Sequence, residues 1–343
     1  MNMFNPKYTI TDTLATNMRK VGELIGELNS KAFAGTVFLN LEKDARALSS
    51  FSSTRIEGNP LPLTDVKKIL KSVPQHILDT EREVLNYNKA LTLLDKKIKL
   101  NEKIQITNDF ICKIQGLVVD MLVVKSYQGK YRNEPVFIND PIKRETVYLP
   151  PDDKDVLLLM KELVDFINSK QKEIDPLILA GIFHKQFVIV HPFIDGNGRT
   201  TRLITKTLLA RLGINTFPLF SFENYYNNNI TKYFQTVGVF GNYYELADKI
   251  DFTQWLEFFT DGIINELGRI KGLLPQYQAR LEPHHKQILD YIKENGSITA
   301  REYAKITDRA KATRINDFKK LTQMDLIKTI GVGKAIYYVL NTH

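Results

Sequence analysis

A single cysteine among 343 residues is the sharpest shortage in this sequence. Cys112 alone can form neither an internal disulfide nor a multi-cysteine zinc site. No apolar run approaches the roughly 20 residues that a membrane span needs. The N-terminal Met-Asn-Met-Phe-Asn-Pro-Lys lacks the charged-then-apolar order of a secretory signal. Internal repeats and low-complexity tracts are missing too. These absences predict a soluble protein of a reducing compartment, cytoplasmic and without a membrane partner. A hydrophobic content of 43% excludes disorder as the main state. The length suits two or three domains. The net charge of +8 fits contact with nucleic acid or phosphates, and equally fits a surface kept soluble.

What is present reads mostly as helix, so the expected class is mainly α. Apolar residues recur at helical spacing in 14–28, 78–94, 156–167, 177–190 and 203–212. Strand signals are confined to two places. In 131–149, Val136-Phe-Ile and Val147-Tyr-Leu flank the turn-prone Asn139-Asp-Pro, which predicts a β-hairpin. Near the C-terminus, Leu326-Ile-Lys-Thr-Ile and Ala335-Ile-Tyr-Tyr-Val-Leu flank Gly331-Val-Gly333. The expected division is an N-terminal helical region, 1–75, a main domain, 76–272, and a compact basic module, 283–343. Two closing helices, around Phe252-Thr-Gln-Trp-Leu-Glu-Phe-Phe and Ile263-Ile-Asn-Glu-Leu, are expected to end the main domain.

The chemistry gathers in His191-Pro-Phe-Ile-Asp-Gly-Asn-Gly-Arg-Thr-Thr-Arg202. Gly196 and Gly198 let the backbone turn tightly and aim successive N–H groups into one concavity. A helix is expected from Arg199. A glycine turn that opens a helix binds anions, because free N–H groups and the helix dipole both favour negative charge. Arg199 and Arg202, three apart, can both reach the helix start and grip further phosphates. Asp195 beside such a cradle suits Mg²⁺. His191, as a neutral imidazole, can take a proton from an incoming hydroxyl. The loop is neither the Gly-x-x-x-x-Gly-Lys type nor the dinucleotide type that follows a strand.

His191-Pro-Phe-x-x-Gly-Asn-Gly-Arg-x-x-Arg202 resembles the signature of the Fic domain family at every defining position, and the likeness covers about residues 40–260. It implies a helical Fic domain with a β-hairpin flap that transfers AMP from ATP to a protein Tyr, Thr or Ser hydroxyl. It implies His191 as general base, Asp195 as magnesium ligand, and Gly196, Asn197, Gly198, Arg199, Thr200, Thr201 and Arg202 as the phosphate-binding set. Glycine at 198 resembles the AMP-transferring branch, since the kinase-like branch carries lysine there. Upstream, Ser53-x-x-x-Glu57-Gly58 resembles an inhibitory-helix motif, which implies that Glu57 pairs with Arg202 and keeps it from ATP. The 131–149 hairpin corresponds to the flap on which a target segment docks, with Ile138 against the nucleotide. Tyr233 and Phe234 resemble the adenine wall, although Ile230 stands where many relatives carry a basic residue.

The C-terminal module reads as three helices and a hairpin, and resembles a winged helix-turn-helix domain. Lys311, Arg314, Lys319 and Lys320 lie along its third helix. That implies DNA binding through 297–340, or use in a homodimer or in target docking. The leading expectation is an autoinhibited adenylyltransferase using ATP and Mg²⁺. Its rivals are a DNA-binding regulator of toxin–antitoxin type that senses nucleotide, transfer from a different donor, and removal of AMP by a water held at Glu57.

Overall fold

The computed structural model describes residues 4–30, 35–100, 102, 104–139, 145–214, 216–279, 281–323, 326–331 and 333–340. The chain forms two compact units. The first takes in Met1–Ser30 and Ala45–Gly268, and the second Lys31–Asp44 and Arg269–His343. No helix among the described residues is long and apolar enough to cross a membrane.

The first unit is built from helices α1 (Asp12–Asn29), the latter part of α2 (Gly35–Ile56), α3 (Leu63–Lys71), α4 (Asp79–Lys99), α5 (Asn108–Val118), α6 (Asp153–Lys170), α7 (Pro176–Val190) and α8 (Asn197–Leu209). They are followed by α9 (Glu223–Asn228), α10 (Ile230–Val237), α11 (Tyr243–Leu246) and the first part of α12 (Thr253–Ala279). At its centre α7 and α8 pack together, with α4 and α5 against α8 and α6 against α7. The sequence of α7, Pro-Leu-Ile-Leu-Ala-Gly-Ile-Phe-His-Lys-Gln-Phe-Val-Ile-Val, is apolar on almost every face. Every residue but Pro176 and Val188 is accordingly buried, as expected of a helix enclosed by others. Asp175 caps its start by accepting from the Leu177 N–H, and Pro176 occupies the first turn, where a missing N–H costs nothing. Trp255 of α12 lies fully buried and donates from Nε1 to the Gly181 carbonyl at 2.7 Å. The small residues Ala45, Ala47, Ser49, Ser50, Ser52 and Ser53 let the end of α2 pack closely, and all six are buried.

Four details depart from the sequence reading. The hairpin is reduced to β1 (Ile138–Asn139) and β2 (Thr146–Leu149), and its turn, 140–144, lies outside the described residues. β2 is a central strand, antiparallel to β1 and parallel to β3 (Gly241–Asn242), which no local pattern announced. The helix after the glycine turn starts at Asn197 rather than Arg199, and yields to a 3₁₀ turn over Ala210–Leu212. The two closing helices are one, because α12 runs unbroken through Gly272 to Ala279. A glycine inside a helix costs only about 1 kcal/mol, too little to break a long one.

The second unit carries α13 (Pro283–Asn295), α14 (Ala300–Ile306), α15 (Lys311–Gln323) and a hairpin of β4 (Ile327–Ile330) and β5 (Tyr337–Leu340), with Val332 of its turn outside the described residues. The expected order of three helices and a hairpin is present. Ile298, ahead of α14, also bridges to Tyr338 in antiparallel fashion. Phe318 stacks on Tyr338 at 4.0 Å between ring centres. Asp317, buried on α15, accepts from Arg309 at 2.9 and 3.1 Å and from the Tyr303 hydroxyl at 2.9 Å.

Candidate active site

The loop between α7 and α8 is held by its own polar groups. His191 closes α7 in the left-handed region, at φ 48° and ψ 60°, which is uncommon for a residue with a side chain. Asn197 then staples the loop. Its carboxamide accepts from the Phe193 N–H at 2.9 Å and donates to the Phe193 carbonyl at 2.7 Å. Gly196 is required twice over, since its φ is +79° and a Cβ there would stand 2.7 Å from Val119 Cγ1. As the N-cap of α8 it brings no side chain, which leaves the helix's first amides to the loop. Asp195 accepts from the Gly196 N–H at 2.6 Å, and both its oxygens accept from Arg199, at 2.9 and 3.0 Å. Arg199 is 3% exposed and also lies 3.4 Å from Glu83 of α4.

Arg202, one turn further on, is wholly buried. Its guanidinium donates to Glu57 Oε1 at 2.6 Å, to the Ser53 hydroxyl at 2.8 Å and to the Ser53 carbonyl at 2.8 Å. Burial opposes its charge, yet Glu57 beside it holds the guanidinium above its ordinary value. The pairing of Glu57 with Arg202 is thus present. A Cβ at position 198 would overlap the Glu57 carboxylate, so Gly198 leaves the room in which Glu57 sits. Gly58, at φ +92°, ends α2, and Asn59 behind it donates to the Thr80 carbonyl at 2.8 Å and to Glu83 at 2.7 Å. The segment that carries Glu57 is therefore fastened to α4.

His191 is half-buried, and burial pushes its pKa from 6.5 down to about 4. Its Nδ1 faces the Val188 carbonyl at 3.4 Å, so a proton on Nδ1 leaves Nε2 as the acceptor. The ring is neutral at neutral pH, as a base must be.

Two positioning residues went unread in the sequence. Gln115 of α5 donates to the Asp195 carbonyl at 3.1 Å and accepts from the Gly129 N–H at 2.6 Å. Arg132 is 3% exposed and donates to the His191 carbonyl at 2.9 Å. A glutamine on a helix and an arginine in a loop both read as solvated, and no spacing marks either as buried.

Other expected site residues divide by burial. Thr200 and Thr201 are fully buried, and the Thr201 hydroxyl donates back to the Asn197 carbonyl at 2.7 Å. Tyr233 is 2% exposed, with its hydroxyl 3.0 Å from His184 Nε2 and 3.5 Å from Arg202. It backs Arg202 from inside the core, while Phe234 beside it is half exposed. Ile138 lies half-buried on β1, next to an exposed Phe137.

Residues 105–209 match the model of the Fic/DOC family. The chain is 30% identical over 184 residues to a protein adenylyltransferase Fic of Drosophila willistoni, covering 52% of this chain and 35% of that protein. It is 25% identical over 284 residues to the Drosophila virilis protein of the same name, covering 77% of this chain and 54% of that one. The chain thus spans between a third and about half the length of these relatives. In fold it is similar to a Fic family protein from Desulfovibrio desulfuricans G20, with TM-score 0.68, 19% identity and 98% of each chain covered. It is also similar to Fic-1 from C. elegans, with TM-score 0.61, 24% identity, and 77% and 73% covered. The family match lies over α5 to α8, where the glycine turn, His191 and Arg202 stand, so residues 105–209 carry a Fic/DOC-family domain.

Proposed function

We propose that this chain is a protein adenylyltransferase that moves AMP from ATP to a Tyr, Thr or Ser hydroxyl of a target protein, and that Glu57 holds it off. The observation that carries this reading is the capture of buried Arg202 by Glu57 and Ser53 beside the Gly196–Gly198 turn. A cation so placed is of use to a polyphosphate, and a carboxylate on it excludes that polyphosphate by charge and by space. The Drosophila relatives bear this activity in their names.

In the reaction His191 Nε2 takes the proton of the acceptor hydroxyl as its oxygen bonds to the α-phosphorus. The bond from that phosphorus to the bridging oxygen breaks, and pyrophosphate leaves. The amides at the start of α8 and the two arginines hold the phosphates. Asp195 fits Mg²⁺, because both its oxygens already face a cation, the Arg199 guanidinium. Asp195 would hold the ion, which would neutralise the phosphates. The edge strand β1 can take an extended segment of the target.

The test is transfer from α-labelled ATP to purified chain and lysate proteins. Glu57→Gly is expected to label more strongly than wild type, and His191→Ala in that background to label nothing. Equal labelling by wild type and Glu57→Gly would remove the brake, and labelling that survives His191→Ala would remove the base.

A second reading concerns the other unit. Lys311, Lys319 and Lys320 are exposed on α15, ahead of the β4–β5 hairpin, in the order of a winged helix-turn-helix. Duplex DNA is the ligand such a basic helix suits. Titration of a labelled random duplex at low and high salt tests it, and binding without salt dependence, or none, defeats it.

A further inference from the structure

The last turn of α7 leaves carbonyls with no partner inside the helix, as every helix does. Here they find partners from the hairpin side, one after another. The Ile189 carbonyl accepts from the Tyr148 hydroxyl of β2 at 2.9 Å. The Val190 carbonyl lies 3.4 Å from an Arg132 guanidinium nitrogen, and the His191 carbonyl accepts from Arg132 Nε at 2.9 Å. The Pro192 carbonyl accepts from the Arg132 backbone N–H at 2.9 Å. The same guanidinium also donates to the Pro151 carbonyl at 2.5 Å, just past β2, and to the Glu134 carbonyl at 3.2 Å, just ahead of β1. One buried side chain therefore ties both roots of the hairpin to the residue at the end of α7. That residue is His191, in a left-handed conformation that needs outside support.

We propose that Arg132 is the positioning residue for His191, fixing its backbone and locking the base to the hairpin that presents the acceptor. The inference rests on the transfer reaction proposed above. The cation also suits the negative end of the α7 dipole. The phosphate cradle over Gly196–Arg202 makes none of the bonds just named, so Arg132 acts on the base and not on nucleotide. A lysine in its place keeps the charge but cannot form the fork that reaches four carbonyls.

The test compares Arg132→Gln and Arg132→Lys in the Glu57→Gly background. Loss of kcat by at least about tenfold in Arg132→Gln, with KM for ATP unchanged within about twofold, is expected for a misplaced base. Arg132→Lys is expected to lie between that variant and the parent. A kcat equal to the parent's in both variants overturns the proposal, and so does a KM for ATP that rises with kcat unchanged. A second measurement needs no transfer, namely NMR titration of the His191 imidazole in the wild-type background. Arg132 is one of the charges that hold His191 low, so Arg132→Gln is expected to raise its midpoint, and an unmoved midpoint overturns the proposal. If Glu57→Gly transfers nothing, the proposed reaction has failed, and the titration alone decides the role of Arg132. Should Arg132→Gln not fold, Arg132→Lys, which keeps the charge but not the fork, is read by kcat and KM for ATP alone, and a kcat equal to the parent's then overturns the proposal.

Discussion

At the scale of single residues, the proposed brake rests on three contacts to Arg202. Glu57 supplies the charge, the Ser53 hydroxyl one hydrogen bond and the Ser53 carbonyl another. Ser53→Ala leaves the carbonyl and Glu57 in place but strips a buried cationic N–H of its acceptor. The braked state is expected to weaken by about 1–3 kcal/mol. Label transfer by Ser53→Ala should therefore exceed wild type and trail Glu57→Gly, and equal rates in wild type and Ser53→Ala would deny the hydroxyl any part. The base has its own signature. With a pKa pushed down to about 4, His191 is neutral well below the 6.5 of a free imidazole. The kcat of Glu57→Gly should hold its value as pH falls past 6.5, with an acid limb nearer 4; a limb at 6.5 would assign the base elsewhere. His191, Asp195 and Arg202 stood out because they share one short motif, and Glu57 stood out only through the resemblance of Ser53-x-x-x-Glu57-Gly58 to an inhibitory motif. Arg132 and Gln115 did not, because what matters in them is burial against backbone carbonyls brought in from other elements.

At the scale of elements, the helices and the antiparallel pairing of β1 with β2 were legible, and the third strand was not. The α7 segment is apolar enough that no partner is needed to predict it, whereas β3 exists through pairing with β2 from more than 90 residues away. A two-residue strand carries no periodicity to read. Likewise the end of α2 reads as a polar, exposed helix tip. Its serines are in fact buried, because small side chains admit a neighbouring helix, and two of them find partners there: Ser49 donates to Glu223 at 3.1 Å and Ser53 accepts from Arg202 at 2.8 Å. The loop after α7 makes a prediction at this scale. Asn197 closes it with two bonds to Phe193. Asn197→Ala leaves both backbone groups of a buried residue unpaired, which should cost about 2–4 kcal/mol, from two unsatisfied groups. Unfolding in denaturant measures the loss. A cost confined to a few tenths of a kcal/mol would mean that the staple is dispensable.

At the scale of the whole molecule, neutral buried histidines set how stability follows pH. His184 lies 0% exposed between Tyr233 and Thr205, and burial holds it well below 6.5. His191 in the same unit and His285 in the other are both pushed down by burial to about 4. Unfolding returns each ring to water, where it takes a proton near 6.5. Each folded value is depressed, so the stability these groups protect is fully present above pH 6.5. As pH falls from there toward 4 the unfolded chain binds protons that the folded chain refuses, and stability is lost. One such shift is worth about 1.4 kcal/mol per pH unit crossed. The carboxylates held low, Asp251 and Glu302, act only below their own ordinary range, so the upper part of the window belongs to histidine. The chain has one tryptophan, Trp255, buried with its ring centre 4.9 Å from that of His184. Its fluorescence therefore follows the first unit alone. The denaturant midpoint read from Trp255 should fall between pH 6.5 and 5, where the carboxylates are still ionised. A midpoint constant across that interval would mean that the rings of His184 and His191 admit protons in the folded state.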